Sequence, residues 1–209
     1  MSANSGHLAH HFGSREQQHE AATLGMWLFL ATEILFFGGV LTAYAVYLNA
    51  HTRAFVEGSK ELYTSIGTIN TVVLLTSSLT MALAVYAAHT SRRSWLILCL
   101  ALTMAFGVAF LALKGTEYYL EYREGLIPRL AWHPDKPGQA ALKALGEEGQ
   151  LFFVFYFILT GLHAVHMLIG LGVMAWVMRD AARGRFTPEY HPQVELFGLY
   201  WHFVDLVWI

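Results

Sequence analysis

The chain has 209 residues, 56 % of them hydrophobic and only 13 % charged, with a mean hydropathy of +0.43, which excludes an ordinary soluble domain. A formal net charge of −2 argues against a nucleic-acid surface. The single cysteine, Cys99, excludes an intramolecular disulfide and a cysteine-based zinc site.

Long apolar blocks joined by short charged connectors are the pattern of a polytopic helical membrane protein. The expectation is an all-α bundle of five transmembrane helices, one membrane domain over residues 1–209, with spans at about 24–48, 63–88, 94–119, 150–178 and 194–209.

Residues 1–20 read as a polar, solvated tail carrying His7, His10, His11 and His19. A sharper reading makes these histidines a titratable patch near the membrane surface. The tail lacks the charged-then-apolar start and cleavage site of a signal peptide, so insertion is expected to rest on the first span.

That span holds one ionisable residue, Glu33, flanked by Trp27, Tyr44 and Tyr47 as interfacial anchors. A carboxylate in mid-bilayer costs roughly 2.5 to 3.5 kcal/mol on insertion scales, so Glu33 is expected to be protonated or partnered. The second span is uncharged but rich in small polar groups, Asn70, Thr71, Thr76, Ser77, Ser78 and Thr80. Such residues let helices approach and hydrogen-bond across the contact. After the turn HTSRRSW, the third span ends in LKGTEYYLEYREG, where Lys114 and Glu117 are three residues apart and can pair on one face, while Tyr118, Tyr119 and Tyr122 mark the interface.

The longest connector, rich in proline and charge, is expected to carry a short helix near 139–145. The fourth span contains His163 and His166, also three apart, with Gly170 continuing the same stripe. Buried polar groups need partners inside the bundle, and Glu33 is the first candidate. In the last span, VELFGLYWHFVDLVWI, His202 and Asp205 share a face.

Lys and Arg divide evenly between the two sides, but Arg92 with Arg93, and Arg179, Arg183 and Arg185, sit in compact connectors. Positive-inside reasoning therefore places the amino terminus in the cytoplasm. Counting about 1.5 Å per residue from that side, Glu33, His163, His166, His202 and Asp205 fall roughly 12 to 23 Å deep, as one inner polar layer. Asn70, Lys114 and Glu117 fall at roughly 27 to 35 Å, as a second.

Several pieces, taken in order, resemble the subunit III family of haem-copper oxidases: WLFLATEILFFGG around Glu33, INTVVLLTSS at Asn70 and Thr71, GTEYY at Glu117, LTGLHAVHMLIG at His163 and His166, and GLYWHFVDLVWI at Trp201, His202 and Asp205. The resemblance runs from about residue 25 to 209 and is closest to the five-helix bacterial form. It implies subunit III of a cytochrome c oxidase in the bacterial cytoplasmic membrane: a subunit that holds no haem or copper and is not catalytic by itself. It packs beside catalytic subunit I, with subunit II and other respiratory subunits near, and it binds phospholipid while stabilising proton uptake and turnover. Glu33, Asn70, Glu117, His163, His166, Trp201, His202 and Asp205 would then shape the helix contacts and the lipid cleft, and His7, His10 and His11 would collect protons.

Two departures stand out. Lys114 occupies a position where the family commonly has glutamine, and the last span is a turn or two shorter than in relatives, so the natural terminus is expected beyond Ile209 or under a neighbour's cover. Three rival readings are carried forward. A small cytochrome would need His163 or His166 to oppose His202 across a haem. A proton-coupled transporter would relay through Glu33, His166 and Asp205, although five spans without a repeat speak against it. A quinol oxidase or nitric oxide reductase branch of the same family differs in an electron donor that other subunits read.

Overall fold

The computed structural model describes residues 12–184, 186 and 192–209. The chain is helical apart from its connectors: α1 (Arg15–Ala50), α2 (Thr52–Lys60), α3 (Thr64–His89), α4 (Arg93–Arg123), α5 (Ala140–Ala144), α6 (Leu151–Ala182) and α7 (Pro192–Trp208). Between α4 and α5 a two-residue-per-strand hairpin pairs β1 (Leu126–Ile127) with β2 (Ala131–Trp132). Among the described residues, α1, α3, α4 and α6 are long and apolar enough to cross a membrane. Helix α7 has 17 residues, about 26 Å at 1.5 Å per residue, somewhat less than a bilayer's hydrocarbon core.

The first helix begins earlier than expected. Ser14 caps it by accepting a hydrogen bond from the Gln17 amide at 3.1 Å, while the Gln17 side chain accepts from the Gly13 amide at 2.9 Å. These bonds satisfy amide groups that a helix start leaves open. The helix therefore takes in the last residues of the polar tail, including His19, which is exposed. His7, His10 and His11 lie outside the described residues.

The bundle is built on an α3/α4 hairpin. Thr80 and Thr103 hydrogen-bond across it at 2.8 Å, while Thr68 and Thr76 return their hydroxyls to carbonyls four residues back. Helix α7 runs antiparallel to α3, since Ser78 meets His202 and Thr71 meets Trp208. Helix α6 closes the group against α4 and α7. At the centre, Trp201 is fully buried and donates its indole N–H to Ser77 Oγ at 3.0 Å. Its ring occupies space left by two glycines: a Cβ on Gly107 or on Gly170 would sit 3.0 Å from ring carbons. Met81, Met167 and Met174 fill the surrounding core, and Cys99 is buried with them.

Helix α1 is different. Only 11 % of its most apolar window is buried, against 39 % for α3, and it touches the bundle mainly along α6 and α7.

The connectors form a cap rather than loose loops. The residues after α1 fold into α2, whose Phe55 packs with Leu126, Leu142, Phe152 and Phe153 in a second small core. A Cβ on Gly58 would lie 2.6 Å from the Phe152 ring, so α2 sits directly on the start of α6. Gly125 stops α4 with φ +71°, and a side chain there would meet the His133 carbonyl at 2.6 Å. The short helix expected near 139–145 is α5, preceded by a 3-10 turn at Pro137–Gln139. We call this end of the molecule the connector face.

Candidate functional site: buried polar groups between the helices

His166 and Glu33 meet. His166 Nε2 lies 3.1 Å from Glu33 Oε2, joining α6 to α1. His166 Nδ1 lies 2.8 Å from the Leu162 carbonyl; a carbonyl only accepts, so Nδ1 carries a hydrogen. The Glu33 contact then needs one further proton, on Nε2 or on the carboxyl group. Either way the pair is net neutral, the condition for burying it in a bilayer. Phe37 packs on the imidazole with centroids 5.2 Å apart, and Tyr200 donates to the His166 carbonyl at 2.9 Å.

His163 does not join this pair. Three residues on a helix turn a side chain by about 60° from its neighbour on the same stripe, enough to face α4 and α7 instead of α1. His163 is 3 % exposed, with Phe110 at 5.2 Å and Trp208 at 5.1 Å between ring centroids. Neither ring nitrogen has a hydrogen-bond partner among the described residues. His202 hydrogen-bonds Ser78 Oγ through Nδ1 at 2.7 Å, and Asp205, 3 % exposed, has no hydrogen-bond partner for either carboxylate oxygen among the described residues. The inner layer expected from depth thus separates into local contacts, each on its own helix pair. His163 and His202 have different neighbours, and the described residues contain no group of three or more histidine, cysteine or carboxylate ligands able to hold a metal.

The second layer is tighter. Lys114 and Glu117 pair at 2.9 Å with each side chain 4 % exposed. Tyr156 of α6 accepts from Lys114 Nζ at 2.8 Å and donates to Glu117 Oε1 at 2.8 Å. The ammonium also lies 4.6 Å from the Tyr156 ring centroid and 5.1 Å from that of Trp208, distances at which an aromatic face attracts a cation. Tyr118 and Thr160 share a bond at 2.6 Å beside it. Asn70 is fully buried, and its amide has no hydrogen-bond partner among the described residues.

Glu121 was missed by the sequence reading, which treated this end of α4 as interface. It is fully buried, and neither of its oxygens has a partner at hydrogen-bond distance among the described residues, although the Tyr156 hydroxyl and the Glu117 carboxylate lie close enough to act on it. The signal was available: Lys114, Glu117 and Glu121 follow the i, i+3, i+7 spacing of one helical face. One turn further, Glu124 accepts from Tyr63 at 2.5 Å and pairs with Lys136. Tyr63 lies just ahead of α3, and the bond to this carboxylate, with burial and nearby acidic charge, raises its phenol above the ordinary range.

The cytochrome c oxidase subunit III family matches residues 148–209, the stretch that carries His163, His166, Trp201, His202 and Asp205. The cytochrome c oxidase subunit 3 of Synechocystis sp. is 31 % identical over 186 residues, covering 88 % of this chain and 70 % of the relative. The chain belongs to the subunit III family of haem-copper oxidases. The cytochrome bo(3) ubiquinol oxidase subunit 3 of Pseudomonas aeruginosa is 27 % identical over 205 residues, covering 96 % of this chain and 88 % of the relative. The cytochrome c oxidase subunit 3 of Corynebacterium diphtheriae is 26 % identical over 196 residues, 90 % of this chain and 83 % of the relative. A subunit III chain is part of a multi-subunit terminal oxidase, and its apolar helices make this one a multi-pass membrane protein.

Proposed function

We propose that this chain is the non-catalytic third subunit of a bacterial cytochrome c oxidase. It packs on the catalytic subunit, with subunit II nearby, and binds phospholipid along the seam between α1 and the rest of the bundle. It folds as one domain with five crossings, α7 being the fifth, and its amino terminus lies on the cytoplasmic side of the inner membrane. Haem and copper reside in the partner subunits.

The observation that carries this reading is the Glu33–His166 contact. It is a direct side-chain hydrogen bond from α1 to α6, and it crosses a seam flanked by two largely apolar cavities. One, of about 320 Å³, is lined by Met26, Phe29, Trp176 and Tyr200. The other, of about 470 Å³, includes Phe37, Leu159, Thr160 and His163. Both are lined mainly by apolar side chains, which suits acyl chains. Asn70, Glu117, Trp201, His202 and Asp205 serve to hold the helices that frame the seam, and His7, His10 and His11 gather protons at the entrance used by the catalytic subunit.

The test compares oxidase complexes carrying wild-type chain and Glu33→Gln. The proposal expects fewer phospholipids per complex and a shorter turnover lifetime in the variant; unchanged assembly, lipid content and lifetime would contradict it. Deleting residues 1–20 is expected to shift the pH profile of turnover, and an unchanged profile removes the tail from the account.

A second reading, subunit III of a quinol oxidase, is favoured by the near full-length match to the Pseudomonas ubiquinol oxidase subunit. Assaying the tagged complex with reduced cytochrome c and with a quinol separates the two.

A further inference from the structure

We propose that Glu121 is a proton-binding site inside the bundle, exchanging its proton with water on the connector face along the stripe Glu121, Glu124 and Lys136. The argument is one of donors. The groups that face Glu121 are Lys114, Glu117, Tyr118 and Glu124 on its own helix, Tyr156 on α6 and Tyr63 at the head of α3. The hydroxyl hydrogens of these groups are held by other acceptors at bonding distance, and two of the three Lys114 hydrogens are placed as well. Tyr156 has one hydroxyl hydrogen, held by Glu117 at 2.8 Å with Glu121 as a more distant competitor for it, Tyr118 gives its hydrogen to Thr160, whose own goes to the Tyr156 carbonyl, and Tyr63 gives its hydrogen to Glu124. Lys114 is bonded to Glu117 and to the Tyr156 oxygen.

The charges close in the same way. Lys114 answers Glu117, and Lys136 answers Glu124. Glu121 lies between these two neutral pairs, fully buried, with no partner at hydrogen-bond distance for either oxygen among the described residues. An ionised carboxylate there would have to share the single Tyr156 hydrogen and the single Lys114 charge with Glu117, which already holds both at bonding distance, an arrangement that buried charges avoid. One proton from water resolves both deficits: an O–H bond forms on the carboxylate and nothing is oxidised or reduced. The protonated group then becomes a donor, and the second lone pair of Tyr156 Oη and the Glu117 carboxylate are acceptors within its neighbourhood.

The stripe also supplies a route. Lys114, Glu117, Glu121 and Glu124 follow one another at spacings of three, four and three residues, so they lie along one face of α4. Exposure rises along it, from a fully buried Glu121 to a Glu124 side chain 13 % exposed and a Lys136 side chain 53 % exposed.

The experiment is infrared difference spectroscopy between acidic and alkaline buffer on the intact complex in vesicles, with wild-type chain, Glu121→Gln and, as control, Glu33→Gln. The expected result is a protonated-carboxyl carbonyl band that moves in heavy water, is lost in Glu121→Gln and is kept in Glu33→Gln. Wild-type and Glu121→Gln spectra that superimpose would overturn the proposal. So would loss of the wild-type band on adding sodium or potassium at constant pH, which would make the site one for a metal cation. Because the amide matches the neutral acid in shape, failure of Glu121→Gln to assemble also counts against it.

Discussion

Two polar pairs, each built on a glutamate, lie within this bundle, and they do different jobs. Lys114 and Glu117 sit on one helix, each side chain 4 % exposed, and are tied to α6 through Tyr156. Glu33 and His166 sit on two helices, 17 % and 14 % exposed, at a seam where α1 otherwise touches its neighbours sparsely. The first is sealed in a packed core, so its cost of disruption is an uncompensated buried charge. The second is a strut at a loose edge, so its disruption frees one helix and leaves the rest folded. Location and not chemistry sets the consequence.

The largest effect is expected in the sealed pair. Glu117→Leu leaves the Lys114 ammonium buried without its counter-charge and should destabilise the chain by about 3–5 kcal/mol, seen as a lower melting temperature of the complex. Adding Lys114→Met should recover most of that loss, because a well-packed apolar pair needs no compensation. At the seam, Glu33→Gln should cost about 1.5–3 kcal/mol, the range for a hydrogen bond to a charged group. Its signature is local: amide hydrogen exchange should rise in α1 and stay unchanged in α3 and α4. If both substitutions loosened the whole bundle alike, the contrast between core and seam would fail.

Gly170→Ala probes the boundary between these regions. The added methyl would meet the Trp201 ring at 3.0 Å and Tyr200 at 3.2 Å, and the overpacking should cost about 1–3 kcal/mol, with exchange increasing where α6 meets α7. The smallest effect is expected from Ser78→Ala, which removes one hydroxyl from His202 and should cost about 0.5–1.5 kcal/mol in the same melting assay.

Much of this was legible in the sequence, for identifiable reasons. Apolar blocks and short connectors gave the helices, because a bilayer permits few other spanning structures. The Lys114–Glu117 pair followed from a spacing of three, and Glu33 as partner for the fourth span followed from the cost of an isolated intramembrane carboxylate. The sequence reading could not separate His163 from His166, since a shared stripe says nothing of which helix each ring meets. Their different partners depend on where α1 and α7 lie, a matter of tertiary packing. Helix α2 was read as plain connector because its apolar face is short; its role appears only with Phe152 against Gly58. The early start of α1 was encoded in Ser14 and Gln17, a capping pair that the polar character of the tail obscured. Glu121 escaped because the tyrosines around it looked interfacial, although its spacing from Lys114 and Glu117 marked the buried face.

The most direct test of the account is to isolate the complex in mild detergent through a tag on this chain and record its visible spectrum before and after mild removal of the chain. The account predicts that haem copurifies with the tagged chain and stays with the larger subunit on separation. Haem retained by the isolated chain through His163, His166 or His202 would contradict it and make this a small cytochrome.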